Sequence, residues 1–417
     1  MENRTADIVI VGAGAAGLMT AIAAAGEKGP ERTVLLLDSR RKIGAKILMS
    51  GGTRCNVTNV KVTPYDFEGG PKHIVKHVLE AFTPDETMKF FEGIGVHLVL
   101  EPTGKYFPTT HSGKTVLEAL VKEAGKRSVR LETEARVTHV RKEGDHFILS
   151  GGSGEIAARK VVLTTGGLSY PETGSDGVGF QIAKSFGHSI MKTTPALTPL
   201  TTEDPGWKSL SGVSLEARLS FFEGGGKRAE RGGSFLFTHF GFSGPAALDI
   251  SRYFAGCTKA HSPRIHASFA PEETEESLGR RFSAFQKKHP HKMVKSFFTE
   301  ELSLPESFAE VFLHKIKVDP KGPSGRCPRA KSGQLVHSLL NYPLEVTGVV
   351  GYKKAEVTAG GVDLKEIKYS TMESRLVPGL YFAGEILDVD GRIGGFNFQW
   401  SWSSGTLAGR SAARSLA

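Results

Sequence analysis

The first 170 residues alternate between short apolar runs and stretches of small residues. Residues 7–11, DIVIV, form the β-branched run that a strand buried on both faces needs. GAGAAG follows at Gly12–Gly17, and LMTAIAAA after it predicts a helix of small residues. TVLLLD, Thr33 to Asp38, predicts a second buried strand that ends in an acid. EARVTHVRK and DHFILS read as further strands, and KVVL as a buried strand running into Thr165, Gly166 and Gly167. Gly152 to Ala157 matches GxGxxA, but it separates two strand-like runs and no helix follows, so it predicts a hairpin turn.

Over 196–344 the pattern changes. Leu210–Phe222 and Ser234–Phe237 read as strands. EETEESLGRRFSAFQKK, MVKSFFTEEL and PESFAEVFLHKIKV read as helices, divided at Pro290 and Pro305. Near the end, GLYFAGE predicts a buried strand reaching Gly384 and Glu385. GGFNFQWSWSSGTLAGRSAA predicts a helix rich in small residues, with Trp400 and Trp402 read as core aromatics.

Strand, GAGAAG, helix, strand and acid together make the dinucleotide fingerprint in its full context. Gly12 permits the tight turn, Gly14 a close backbone approach to a diphosphate, and Gly17 the packing of helix on strand. Ala15 and Ala16 lie at the helix start, where free N–H groups and the dipole favour an anion. Asp38, with Ser39 beside it, stands where an acid accepts from ribose hydroxyls. The alternative is a glycine-rich turn that binds nothing.

The fingerprint serves FAD and NAD alike. The meander through Val137, ending at Thr165-Gly166-Gly167, is similar to that of flavoproteins with two dinucleotide-binding domains. Residues 376–413 resemble a C-terminal flavin motif, in which the acid after a glycine, here Glu385, meets the ribityl chain. In that motif Gly394 and Gly395 lie flat against the ring, and the helix starting at Phe396 and Asn397 stabilises negative charge on it. Start, middle and end of the chain thus point to one FAD site. Only one intact fingerprint exists, so any NAD(P)H binds transiently.

Bulk properties narrow the reading further. The chain has 417 residues, enough for two or three domains. No apolar run approaches the roughly 18–20 residues of a membrane span, and the N-terminus has no signal-peptide pattern, so a cytoplasmic protein is expected. Cys55, Cys257 and Cys327 are widely spaced with no CxxC, which predicts neither disulfides nor a metal site. Net charge is +9, with 20 Lys and Arg against 15 Asp and Glu over 196–344. Solvated surface accounts for this charge, and an RNA-facing surface is the sharper alternative.

GAGAAGLMTA, KILMSGGTRCNVTN, TGGLSYPETGSDG, PALTPL, FLFTHFGFSGPAALDIS, VTAGGV and GLYFAGEILDVDGRIGGFNFQWSWSSG occur in order along nearly the whole chain. In this combination the sequence resembles the YhiN/BaiN-like flavoproteins, the NAD(P)/FAD-dependent oxidoreductase or aminoacetone oxidase family. The resemblance implies an α/β fold: a Rossmann-like FAD-binding domain over 1–195 and 345–417. It also implies an inserted β-barrel-like piece over 196–270 and 322–344, and a small helical piece over 271–321.

The resemblance further implies that the loop after Lys46 crosses the cofactor, with Gly51, Gly52, Arg54 and Asn56 against it. Cys55 then reads as a packed loop residue, with proton donation to substrate as a second reading; His239 is the other candidate acid or base. Thr53 stands where many members have glycine, and Val178 where an acid is common. Family chemistry offers reduction of an activated C=C bond, in a dehydro-bile acid or in ribosomal RNA uridine, with NAD(P)H as reductant. An aminoacetone-type amine oxidase using O₂, and an RNA-binding factor with structural FAD, are the alternatives.

Overall fold

The computed structural model describes residues 4–27, 32–152 and 154–416. The chain forms two compact units, Met1–Pro195 with Glu356–Ala417, and Ala196–Ala355.

The first unit is built on a sheet containing β1 (Arg4–Val11), β2 (Val34–Leu37), β3 (Arg130–Glu132), β4 (Val137–Glu143), β5 (His146–Gly151), β6 (Gly154–Leu163) and β7 (Leu380–Phe382). Five of these run parallel in the order β7-β6-β1-β2-β3. Ile8, Val9 and Ile10 are fully buried, as the β-branched run requires of a central strand covered on both faces. β5 and β6 form the expected hairpin, with Gly151 opposite Gly154; Ser153 lies outside the described residues.

α1 (Ala15–Gly26) and the closing helix α2 (Phe396–Arg414) cover this sheet and pack on each other. Their small residues explain the close approach. A Cβ at Gly405 would stand 2.7 Å from the Ala16 carbonyl oxygen, and one at Gly409 would stand 2.3 Å from that of Thr20. Trp400 and Trp402 are core residues, as expected. Both are buried, and their Nε1–H groups donate to the carbonyls of Gly384 (3.2 Å) and Val57 (2.9 Å).

The second unit carries a seven-stranded antiparallel sheet among the described residues. Its long hairpin pairs Ser214–Glu223 with Gly226–Thr238, so the second strand extends well beyond the expected Ser234–Phe237. Helices Glu275–Lys288, Lys295–Glu300 and Glu306–Lys315 match the predicted runs, and Thr274 caps the first. Arg329–Leu340 is a further helix, not anticipated from the sequence. Trp207 stacks between Phe237 of the sheet and Phe308 of a helix, so the β-rich and helical parts share one core. Residues 345–355 also belong here rather than to the first unit. Glu345 accepts the Trp207 Nε1–H at 2.9 Å, and Val349 pairs with Leu200.

Candidate functional site

The turn between β1 and α1 is tied on two sides. Gly12 N–H donates to the Leu37 carbonyl at 2.7 Å, and Ala13 N–H donates to Asp38 Oδ2 at 2.7 Å. Thr164, at the end of β6, donates its hydroxyl to the Gly12 carbonyl at 2.8 Å. A Cβ at Gly17 would lie 1.8 Å from the Gly12 oxygen, so only glycine lets α1 sit this close to its own turn. At Gly14 the reverse holds: nothing lies within 4 Å of the position a Cβ would take. Gly14 is the N-cap of α1, and no side chain caps it. The first-turn N–H groups of α1, from Ala15 and Ala16 on, therefore face an open backbone cradle suited to an anion.

Asp38 accepts from Ala13 and, through Oδ1, from Arg40 N–H at 2.8 Å. Burial raises its pKa against these bonds. Ala135 N–H donates to the Asp38 carbonyl, which brings the start of β4 and the buried Val137 to the same edge. Ser39 lies beside Gly174, and Gly166 beside Ser175.

A polar cluster joins four distant segments. Lys46 Nζ lies 2.6 Å from Glu385 Oε2 and 2.6 Å from Ser169 Oγ. The Ser169 hydroxyl donates to Glu385 Oε1 at 2.8 Å, and Thr358 N–H donates to the same oxygen at 3.0 Å. Thr358 Oγ1 accepts from the N–H groups of Leu168 and Ser169. A Cβ at Gly167 would meet Thr358 Oγ1 at 2.4 Å. Lys46, Glu385 and Gly167 were expected from the sequence. Ser169 and Thr358 were not, although both sit inside the quoted motifs TGGLSY and VTAGGV.

The loop that follows Lys46 is strained. Thr53 and Cys55 adopt left-handed conformations (φ 72° and 60°), a cost of about 1–3 kcal/mol each. Thr53 thus occupies a conformation that favours glycine. Arg54 pairs with Glu101 at 2.6 Å, donates to the Gly51 carbonyl at 3.2 Å and lies 4.1 Å over the Phe107 ring. Cys55 is fully buried, and burial pushes its thiol up to about 12. Gly52 is open, with nothing within 4 Å of a Cβ position.

Asn56 reaches the last helix, because a Cβ at Gly395 would stand 2.8 Å from its Oδ1. That oxygen is buried and has no hydrogen-bond partner among the described residues; the same is true of Thr165 Oγ1. Gly395 is the N-cap of α2, left-handed at φ 90° and without a side-chain cap. Asn397 clamps Gly391 through both its amide atoms at 2.8 Å, and Phe396 packs edge-on against Phe67. A Cβ at Gly384 would stand 2.6 Å from that of Ala16, so the Gly384 turn abuts the start of α1. Gly394, beside Asn59, accepts its amide N–H at 3.1 Å.

Two uncapped helix N-termini, two open glycines and two buried oxygens without partners among the described residues are groups of the kind that a large polar anion such as FAD would engage. Val178 is the first residue of the helix Val178–Ser185, and its N–H donates to Asp176. His239 lies in the second unit, exposed in the turn that follows the strand Gly226–Thr238, with its ring against Phe240. The basic run 287–295 is partly neutralised: Lys292 pairs with Glu300, and Lys295 with Glu306 and Glu310. Among the described residues no helix is long and apolar enough to cross a membrane.

Comparison with known proteins gives a consistent picture. Residues 6–411 match the HI0933-like protein Rossmann domain family. The chain is 32% identical over 408 residues to a 3-dehydro-bile acid delta(4,6)-reductase of Clostridium scindens, covering 97% of this chain and 98% of that one. It is 35% identical over 406 residues to a ribosomal RNA dihydrouridine synthase of Escherichia coli, covering 95% and 96%. The fold is shared with a 3-ketosteroid delta1-dehydrogenase of Sterolibacterium denitrificans (TM-score 0.52, 12% identity, 99% and 100% coverage).

Proposed function

The chain belongs to the HI0933-like Rossmann family and is an FAD-dependent oxidoreductase; from this we propose that it reduces a C=C bond conjugated to a carbonyl, with NAD(P)H as electron source. One observation carries the reading. Two relatives, each similar over nearly the full length, bear names for the same chemistry on unlike substrates. Dihydrouridine is uridine with two hydrogens added across a ring C=C next to a carbonyl, and a 3-dehydro Δ4,6 steroid offers the same conjugated unit.

In this reading the open cradle at Gly14 and the α1 N-terminus hold the diphosphate, and Asp38 holds the ribose. Lys46 and Glu385 hold the ribityl region, with Ser169 and Thr358 fixing the carboxylate. Asn56, Thr165 and the free N–H groups of α2 would hold the flavin end, where the helix dipole favours negative charge. FAD held there would supply a two-electron store for moving hydride between a nicotinamide and carbon. The substrate's β-carbon gains hydride and its neighbour a proton, so NAD(P)H and one proton are consumed for each bond reduced. The buried Cys55 thiol is poorly placed to give that proton.

Ribosomal RNA is the proposed substrate, supported by the dihydrouridine synthase relative and the net charge of +9. A cytoplasmic location goes with that substrate. The test is anaerobic stopped flow on the FAD-loaded protein. Bleaching of the flavin by NADH or NADPH is expected; bleaching by aminoacetone and by neither nicotinamide would replace this reading with an amine oxidase.

A further inference from the structure

We propose that Glu223, Cys257 and His261 form a surface binding site for a zinc-class divalent cation on the second unit. The three come from elements that end at one point. Glu223 is the last residue of the strand Ser214–Glu223. Cys257 is the C-cap of the helix Gly244–Gly256. His261 closes the 3-10 turn Lys259–His261. A backbone bond from Gly224 N–H to the His261 carbonyl (3.0 Å) fixes that turn to the hairpin. The cluster is therefore positioned by main chain as well as by its own side-chain contacts.

The spacing is that of a tetrahedral ion. Cys257 Sγ lies 3.3 Å and His261 Nδ1 3.2 Å from the same oxygen, Glu223 Oε1, and all three ligand atoms fall within 4.8 Å of one another. On zinc, with metal–ligand bonds of about 2.0–2.3 Å, neighbouring ligand atoms of a tetrahedron stand about 3.3–3.6 Å apart. The two edges from Glu223 Oε1 already stand close to that length.

The ligand set selects the ion. A thiolate and an imidazole favour zinc over magnesium or calcium, which take oxygen. Thiolate and carboxylate together offset the two positive charges. Arg228, 3.6 Å from Glu223, engages the other carboxylate oxygen and leaves Oε1 to the metal. Binding as a thiolate displaces the Cys257 thiol proton. His261 would bind through Nδ1 as the neutral ring, with its proton on Nε2, and the ring is 60% exposed. One proton is released per cation bound, and the fourth coordination position falls to water. The ion staples the hairpin end to the helix end. Widely spaced cysteines hid this site in the sequence, because Glu223 joins the Cys257-x₃-His261 pair only through the fold.

The test uses the full-length FAD-loaded protein, stripped with a chelator and dialysed against zinc, then against cobalt. One zinc per chain, one proton released, and the intense red-region bands of four-coordinate cobalt with thiolate are expected. Cys257→Ser and His261→Ala should each weaken zinc binding by more than about tenfold while FAD stays bound. Failure to retain zinc at one per chain would overturn the proposal. So would zinc or cobalt binding that is unchanged in Cys257→Ser, since the ion would then sit elsewhere.

Discussion

Lys46 and Glu385 stand 339 positions apart in the chain, and their side chains meet at 2.6 Å. This ion pair is the point at which the segment after the first βαβ unit closes on the C-terminal segment. Both groups are half-buried and each holds a further partner, so the pair is more than a surface contact. Lys46→Met and Glu385→Gln should each weaken FAD retention. The double variant should lose less than the sum, with a coupling of about 0.5–3 kcal/mol. Fluorescence of released flavin, followed through a double-mutant cycle, measures this.

The two fingerprint glycines should fail in different ways. Gly14→Ala puts a methyl into space that is empty of protein, so the apoprotein should unfold at the wild-type temperature yet release FAD on gel filtration. Gly17→Ala drives a methyl into the Gly12 carbonyl and should cost about 1–3 kcal/mol of stability whether or not FAD is present. Thermal unfolding of both variants, with and without added FAD, separates the outcomes.

Cys55 should be inert. Its thiol is fully buried with a pKa of about 12, whereas Cys257 and Cys327 are partly exposed. Iodoacetamide at about pH 8 should label Cys327 in the native protein and spare Cys55. Cys55→Ala should leave turnover within a few-fold of wild type. Peptide mapping of the label and stopped-flow rates check the two statements.

His188 sets an acid limit on stability. Its ring is inaccessible; Nδ1 lies 3.0 Å from Glu366 Oε2, and Nε2 lies 2.8 Å from Ser374 Oγ. Ser374 Oγ already accepts from the N–H groups of Leu376 and Val377, so its hydroxyl donates to Nε2. Nδ1–H then donates to Glu366, and the ring is neutral. Burial lowers the His188 pKa. The unfolded chain takes up this proton near about pH 6.5, the folded chain only below that. The contribution is therefore complete above about pH 6.5 and is lost as pH falls through the folded value. Unfolding temperature should drop between about pH 7 and about pH 5, and His188→Gln should flatten the drop at a cost of about 1–3 kcal/mol at neutral pH.

What the sequence revealed follows from range. Gly12, Gly14, Gly17 and Asp38 were legible because a turn, a helix start and a strand end specify each other within about 30 residues. Lys46 and Glu385 were legible only through the resemblance, since nothing local joins them. The Glu101 partner of Arg54 and the roles of Ser169 and Thr358 were not legible, because tertiary packing alone brings those side chains together. Helix Arg329–Leu340 was missed because basic, Ser and Gly positions dilute its apolar face to Leu335, Val336 and Leu339. The boundary at 355/356 was missed because Glu345 and Val349 are held by Trp207 and Leu200, far back in the chain.

The central claim is that this site passes hydride to a conjugated C=C bond, and a single turnover tests it most directly. The FAD-loaded protein, reduced without oxygen by one equivalent of NAD(P)H, is mixed with ribosomal RNA that lacks its modifications. The account predicts return of the flavin colour at a rate set by RNA concentration, with one dihydrouridine formed per flavin reoxidised. Flavin that stays bleached with this RNA and with a 3-oxo-Δ4,6 steroid, but recovers at once with O₂, would contradict it.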